Sequence, residues 1–145
     1  MLYISDNQIY ELPSRYYSMK EIYQIEVLLK TSPRVLDKLI STPDGLSEWF
    51  ADDVTVHDDI YTFEWDGNEE PARLLQLKFN SKIRFQWLAD EEDGIDTYFE
   101  ISYVVDPMTS SVILTITDFA SPSDKESNVA IWQQAIADLR RLIGA

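Results

Sequence analysis

The sequence contains no cysteine and a single histidine, His57. Disulfides, thiolate zinc sites, iron–sulfur clusters and cysteine nucleophiles are thereby excluded, and so are metal sites built from several imidazoles. Glycine is nearly as scarce. Gly45, Gly67, Gly94 and Gly144 stand more than twenty residues apart, a spacing that rules out the P-loop, the Rossmann GxGxxG and the GxSxG turn. Cations are few: 12 Lys and Arg face 26 Asp and Glu, for a formal charge of −14. Sequence-independent nucleic-acid binding needs clustered cations to displace phosphate counterions, and anionic membrane surfaces need them too, so neither partner is expected. The opening segment carries Asp6 and Glu11 instead of a basic stretch followed by an apolar one, so no secretory signal is expected. No apolar run approaches the roughly 20 residues that span a bilayer. A soluble cytoplasmic protein without membrane insertion is the expectation.

What is present is a globular composition: 145 residues, 45% hydrophobic and 12% aromatic, enough for one domain with a sizeable core. Residues 1–18 read as a polar and aromatic lead-in without a clear period, an arm or extension expected to add little stability. The domain proper is expected over 19–145, with Met19 either the initiator or a residue following that arm. Met19 opens MKEIYQIEVLLK, in which Tyr23, Ile25, Val27 and Leu29 alternate onto one face of a strand. Ser32-Pro33 and Thr42-Pro43 then each combine a capping side chain with a proline suited to a first helical position. Behind them Val35, Leu36, Leu39 and Ile40, then Leu46, Trp49 and Phe50, predict two short helices with apolar faces.

From Asp53 to Phe119 the chain reads as strand after strand: 53–57, 60–65, 72–79, 82–88, 98–105 and 111–119. The separators are turn-forming, as in Asp66-Gly67-Asn68, Asn80-Ser81 and Asp106-Pro107, and short enough to favour consecutive antiparallel hairpins. With the first strand the count is seven. Ser123 and Glu126 then form a capping-box pattern, followed by Trp132, Ala135, Ile136, Leu139, Leu142 and Ile143 at helical spacing. About 20 residues at ~1.5 Å each give a helix of roughly 30 Å, the width of about seven strands at ~4.8 Å, so one helix can lie across the concave face of the sheet. The predicted fold is α+β: a seven-stranded antiparallel sheet wrapped around a long C-terminal helix, with two short helices after the first strand.

That element order resembles the helix-grip fold of the START-like (SRPBCC) superfamily. The resemblance is carried by Ser32-Pro33 through Leu39, by Thr42-Pro43-Asp44-Gly45-Leu46-Ser47-Glu48-Trp49-Phe50, and by Thr115–Phe119 leading into Trp132. It covers about residues 19–144. Within the superfamily the chain looks most like the branch homologous to activators of the ninety-kilodalton heat-shock ATPase, and TP-x-GL-x-EWFADDV looks like the signature of short bacterial START-like proteins of unassigned function. The resemblance implies a fold far more specifically than an activity, because lipid carriers, cyclases and chaperone activators share it. The iron-dependent members take metal ligands that this chain lacks, and no cofactor is expected.

Three local patterns bear on chemistry. Ala89–Glu100 places Glu91, Asp93, Gly94 and Glu100 at EF-hand positions, but Ala89 stands where the first ligand belongs and the flanks read as strands. An acidic hairpin loop is the expectation. His57 beside Asp58 and Asp59 suggests an acid–base pair, yet neighbours in a continuing strand point to opposite faces, so a surface histidine is expected. Asp118 continues the inward phase of Val112, Leu114 and Ile116. It sits either past the edge of the core or at one mouth of a cavity, with its pKa raised if unpartnered and lowered if Arg73 or Arg84 reaches it.

The feature most open to function is an apolar and aromatic stripe. Phe63 and Trp65, Leu75 and Leu77, Phe85 and Trp87, and Phe99, Ile101 and Tyr103 share matching alternation phases, joined by Leu114, Ile116 and Asp118. Trp132 and Ile136 face them from the helix. Singly these are core residues; together they line a concave sheet closed by one helix, a shape prone to leave a cavity. The leading expectation is a non-enzymatic module holding a small apolar or amphipathic molecule. A chaperone-interaction protein that stimulates a heat-shock ATPase is the second. A cyclase- or dehydratase-type enzyme with Asp118 as base is the third.

Overall fold

The computed structural model of the protein describes residues 2–11 and 19–145. The first two strands, β1 (Leu2–Ser5) and β2 (Gln8–Glu11), pair as an antiparallel hairpin. Their two-residue turn, Asp6-Asn7, has positive φ at both positions (53° and 62°), the geometry whose twist matches the flanking strands. This hairpin lies within the polar and aromatic lead-in that shows no clear period in the sequence; four residues per strand are too few to display an alternation. The rest of the expected arm, residue 1 and residues 12–18, lies outside the described residues.

Seven strands form the main sheet: β3 (Glu21–Leu29), β4 (Asp53–His57), β5 (Ile60–Trp65), β6 (Asn68–Lys78), β7 (Lys82–Trp87), β8 (Phe99–Val105) and β9 (Val112–Ala120). Their order is β3-β9-β8-β7-β6-β5-β4, with every neighbouring pair antiparallel. Consecutive strands from β4 to β9 pair antiparallel, all through short turn-forming links except β7 and β8, whose connection is longer. Asp66 and Gly67, for example, both take positive φ between β5 and β6.

The chain crosses from one sheet edge (β3) to the other (β4) through two short helices, α1 (Pro33–Ser41) and α2 (Pro43–Leu46). Both starts follow the Ser/Thr-Pro signal. The Ser32 hydroxyl accepts from the Val35 amide, and the Thr42 hydroxyl accepts from the Gly45 amide at 2.9 Å while donating to the Lys38 carbonyl. The second helix is only one turn long, so Trp49 and Phe50 lie in the turns beyond it and not on a helical face. Gly45 is there because α2 presses on the end of α1: a Cβ at this position would run into the Lys38 carbonyl and come within 2.7 Å of the Leu39 Cα. Asp37 fastens α1 to the sheet by accepting from the Asn80 amide and the Tyr103 hydroxyl.

After β7 comes one turn of helix, α3 (Leu88–Glu92), and after β9 the long α4 (Lys125–Ile143). The expected capping box does not form. The helix starts two residues after Ser123, its cap residue Asp124 makes no side-chain capping bond, and the Ser123 hydroxyl instead meets that of Ser121. Trp132, Ala135, Ile136 and Leu139 are buried along one stripe of α4. Leu142 lies outside that stripe and is 46% exposed. At its end Gly144 adopts the left-handed conformation (φ 72°) and donates to the Arg140 carbonyl, while the Arg140 guanidinium donates to the Leu28 carbonyl of β3. The core lies between the concave face of the sheet and α4, with α1, α2 and the turn after them filling one side.

Candidate functional site

Thirteen of the fourteen residues expected to line the concave face are in or against that core, and one is not. Phe63, Phe85, Ile101, Leu114 and Ile116 are wholly inaccessible, and Phe99, Tyr103, Trp132 and Ile136 are buried. Trp65, Trp87 and Leu77 are partly buried and pack on the core, and Asp118 is half-buried beside it. Leu75 is the correction: it is exposed on the outer face. The ladder between β6 and β7 runs Leu74↔Phe85 and then Gln76↔Arg84, so Leu75 is the extra residue of a β-bulge. A bulge reverses the alternation phase, which turns Leu74 inward before it and Leu77 inward after it.

The aromatic residues gather at the end of the sheet where α4 begins. Phe99 is the floor, stacked on Trp87 at 4.7 Å between centroids and on Phe85 at 5.1 Å. Above it sits a ring that alternation could not place there, Phe50. It stacks on Trp132 at 5.2 Å and on Phe99 at 5.7 Å, and meets Phe63 and Trp65 edge-on at 5.0 and 5.3 Å. Edge-to-face and offset contacts at these separations are favourable beyond their area. The segment is held by its neighbours: Trp49 Nε1 donates to the Leu39 carbonyl and Trp65 Nε1 to the Phe50 carbonyl, at 2.9 and 2.8 Å. The spacing of Leu46, Trp49 and Phe50 predicts a helical face for Phe50, since spacing reports only local periodicity. The space between sheet and helix at this end is thus occupied by one ring, supplied from a turn.

One polar group sits beside the rings. Asp118 Oδ2 accepts from Trp132 Nε1 at 2.8 Å and from the Tyr23 hydroxyl at 3.1 Å, while Oδ1 accepts from the Phe119 amide. Tyr23 is placed by register, directly opposite Asp118 across the β3–β9 ladder. Neither arginine considered for Asp118 reaches it: Arg84 bonds Glu100, and Arg73 bonds Glu91 and Asp59. Burial raises the Asp118 carboxyl above its usual range, against the opposing pull of its hydrogen bonds from Trp132, Phe119 and Tyr23 and of the Lys20 charge. Burial and the adjacent carboxylate push the Tyr23 phenol well above the ordinary tyrosine value.

The raised carboxyl makes stability pH-dependent with a definite sign. A carboxyl that binds its proton more tightly when folded contributes fully below the unfolded pKa, about 3.9 for aspartate, and loses that contribution as pH rises through the folded value. Asp118→Asn keeps an acceptor for Trp132 and Tyr23 but does not titrate. It should therefore gain stability relative to the parent as pH climbs upward from about 4. Urea midpoints of both proteins across this range check the expectation; parallel midpoints would refute it.

The remaining patterns resolve simply. The acidic loop is not a hairpin tip throughout, because its first part forms α3. There Asp90 turns inward, accepting from Lys20 Nζ at 2.9 Å and from the Thr97 hydroxyl at 2.5 Å. His57 is fully at the surface, as expected. It nonetheless approaches Asp58 (3.6 Å) because the strand ends there and Asp58 takes a positive φ. Among the described residues no helix is long and apolar enough to cross a membrane.

A seven-stranded antiparallel sheet packed on one long C-terminal helix, with two short helices bridging its edges, is the helix-grip class of architecture. Comparison with known proteins agrees: the START-like superfamily domain matches residues 17–145, and the chain belongs to that superfamily. A Bacteroides fragilis protein solved by NMR is 34% identical, with 85% of this chain and 90% of that one covered and a TM-score of 0.59. The Aha1 dimer from Colwellia psychrerythraea is similar in fold at 15% identity, covering 85% of this chain and 96% of its own, with a TM-score of 0.71. A Mesorhizobium loti protein is comparable at 16% identity, 86% and 97% coverage and a TM-score of 0.67. No curated protein matches the sequence.

Proposed function

We propose that the protein is a cytoplasmic, non-enzymatic binding module that holds one small apolar or amphipathic molecule between the sheet and α4. The observation that carries this reading is Phe50. The gap between the aromatic floor and Trp132 is filled by a ring that belongs to neither the sheet nor the helix. A turn can withdraw a ring at far smaller cost than a strand can, so a ligand with a planar or chain-like apolar body can take its place. Trp65 and Trp87, only partly buried, stand at the rim of this end. An acid–base role for Asp118 has less support, because three donors already hold its oxygens.

The test is a titration of intrinsic tryptophan fluorescence with long-chain and aromatic hydrophobes. Saturable quenching or a spectral shift is expected. Phe85→Ala should change the affinity more than Gln86→Ala, since Gln86 lies on the outer face and bonds the Ile95 carbonyl. Linear, unsaturable quenching across a broad panel would abandon the module and leave the surface-acting alternative, stimulation of a heat-shock ATPase.

A further inference from the structure

A second site is suggested on the outside of the molecule, away from the aromatic end. A groove of about 550 Å³ runs between α1 and the last turn of α4, within the roughly 300–1,000 Å³ usual for small-molecule sites. Its apolar lining comes from Val35 and Leu39, one turn apart on α1, and from Leu142 and Ile143 on α4. Val35 and Leu142 are each 46% exposed, although both are large and apolar. Arg34 and Lys38, also one turn apart, line it from α1, and Glu48 joins the lining from the turn after α2.

The rim is cationic on a chain that is acidic overall. The protein carries −14 overall, and its other described arginines are committed: Arg73 to Asp59 and Glu91, Arg84 to Glu100, Arg140 to a backbone carbonyl and Arg141 to Asp138. Among the described residues Arg34 alone of the arginines has a guanidinium without a partner, and the Lys38 ammonium beside it makes no ion pair or hydrogen bond. Two unpaired cations over an apolar floor complement a molecule with an anionic head and a short apolar tail. A guanidinium suits a carboxylate in particular, because its planar fork presents two parallel N–H donors. Glu48, which also lines the groove, disfavours a ligand with a second anionic group. We infer that this groove binds a single-chain anionic amphipath, its carboxylate on Arg34 and Lys38 and its alkyl chain on Val35, Leu39, Leu142 and Ile143.

The probe is sodium octanoate below its micelle concentration, with octyltrimethylammonium and octanol as matched tails. The readout is the methyl NMR signals of Val35, Leu39, Leu142 and Ile143. Octanoate should shift them saturably, and the other two should not. The double variant Arg34→Glu/Lys38→Glu alters exposed side chains without partners, so it should fold normally and bind octanoate about tenfold or more weakly, as expected for losing a charge-assisted contact. Three results would overturn the inference. The cation or the alcohol binds equally well, or the reversed variant keeps its affinity, or the methyls shift only as protein concentration rises, which would make the groove a contact between copies. Shifts confined to the tryptophan indoles would place octanoate in the interior, supporting the internal site while removing this one.

Discussion

Trp132→Ala is expected to remove much of the stability of this domain. The side chain is 6% exposed, stacks on Phe50 and donates from Nε1 to Asp118. Truncating a buried tryptophan costs about 3–5 kcal/mol, against a total of about 5–15 kcal/mol for a typical domain. Trp132 is also where α4 is tied to the far edge of the sheet, because Asp118 Oδ2 is shared between its indole and the Tyr23 hydroxyl of β3. Trp132→Phe separates the two roles. It keeps a ring on Phe50 but deprives a half-buried carboxylate of a donor, for a smaller loss of about 1–3 kcal/mol. Urea denaturation of the three proteins gives the ranking. An alanine variant as stable as the parent would mean that α4 does not hold the sheet through this residue.

The frame around these residues was legible because its signals are local. Strands β4 and β5 have the bounds that alternation and their Asp-rich turns predict, and both Ser/Thr-Pro helix starts are used. What escaped depends on partners distant in sequence or on a choice between two equally good local patterns. The Leu74-Leu75-Gln76-Leu77 run offers a leucine to either phase, and only the pairing with β7 decides that Leu75 is the bulge. Ser123 and Glu126 have capping-box spacing, but the helix begins later and the Ser123 hydroxyl turns to Ser121. For Asp118 the inward phase was readable while its partner was not, since Tyr23 lies 95 residues away. Phe50 is the extreme case: its local spacing is helical, whereas its position is set by four rings from β5, β8 and α4.

Phe50→Ala should therefore do two things that an ordinary core truncation does not combine. It should lower stability by about 3–5 kcal/mol, the usual cost of deleting a buried phenylalanine, since the ring is only 8% exposed. It should also leave an apolar hole with a ring-sized outline, walled by Phe63, Trp65, Phe99 and Trp132. Apolar cavities of this kind stay dry and take up benzene-sized guests, and a guest that binds only the folded state raises its stability by mass action. Benzene or indole should thus raise the melting temperature of Phe50→Ala, and should bind it more tightly than the parent, in which Phe50 must first be displaced. Thermal melts of both proteins with and without guest provide the measurement. If the variant is destabilised but gains nothing from either guest, the surrounding rings have closed over the gap. Phe50 would then be core filling, and the displacement on which the internal binding site depends would have no basis.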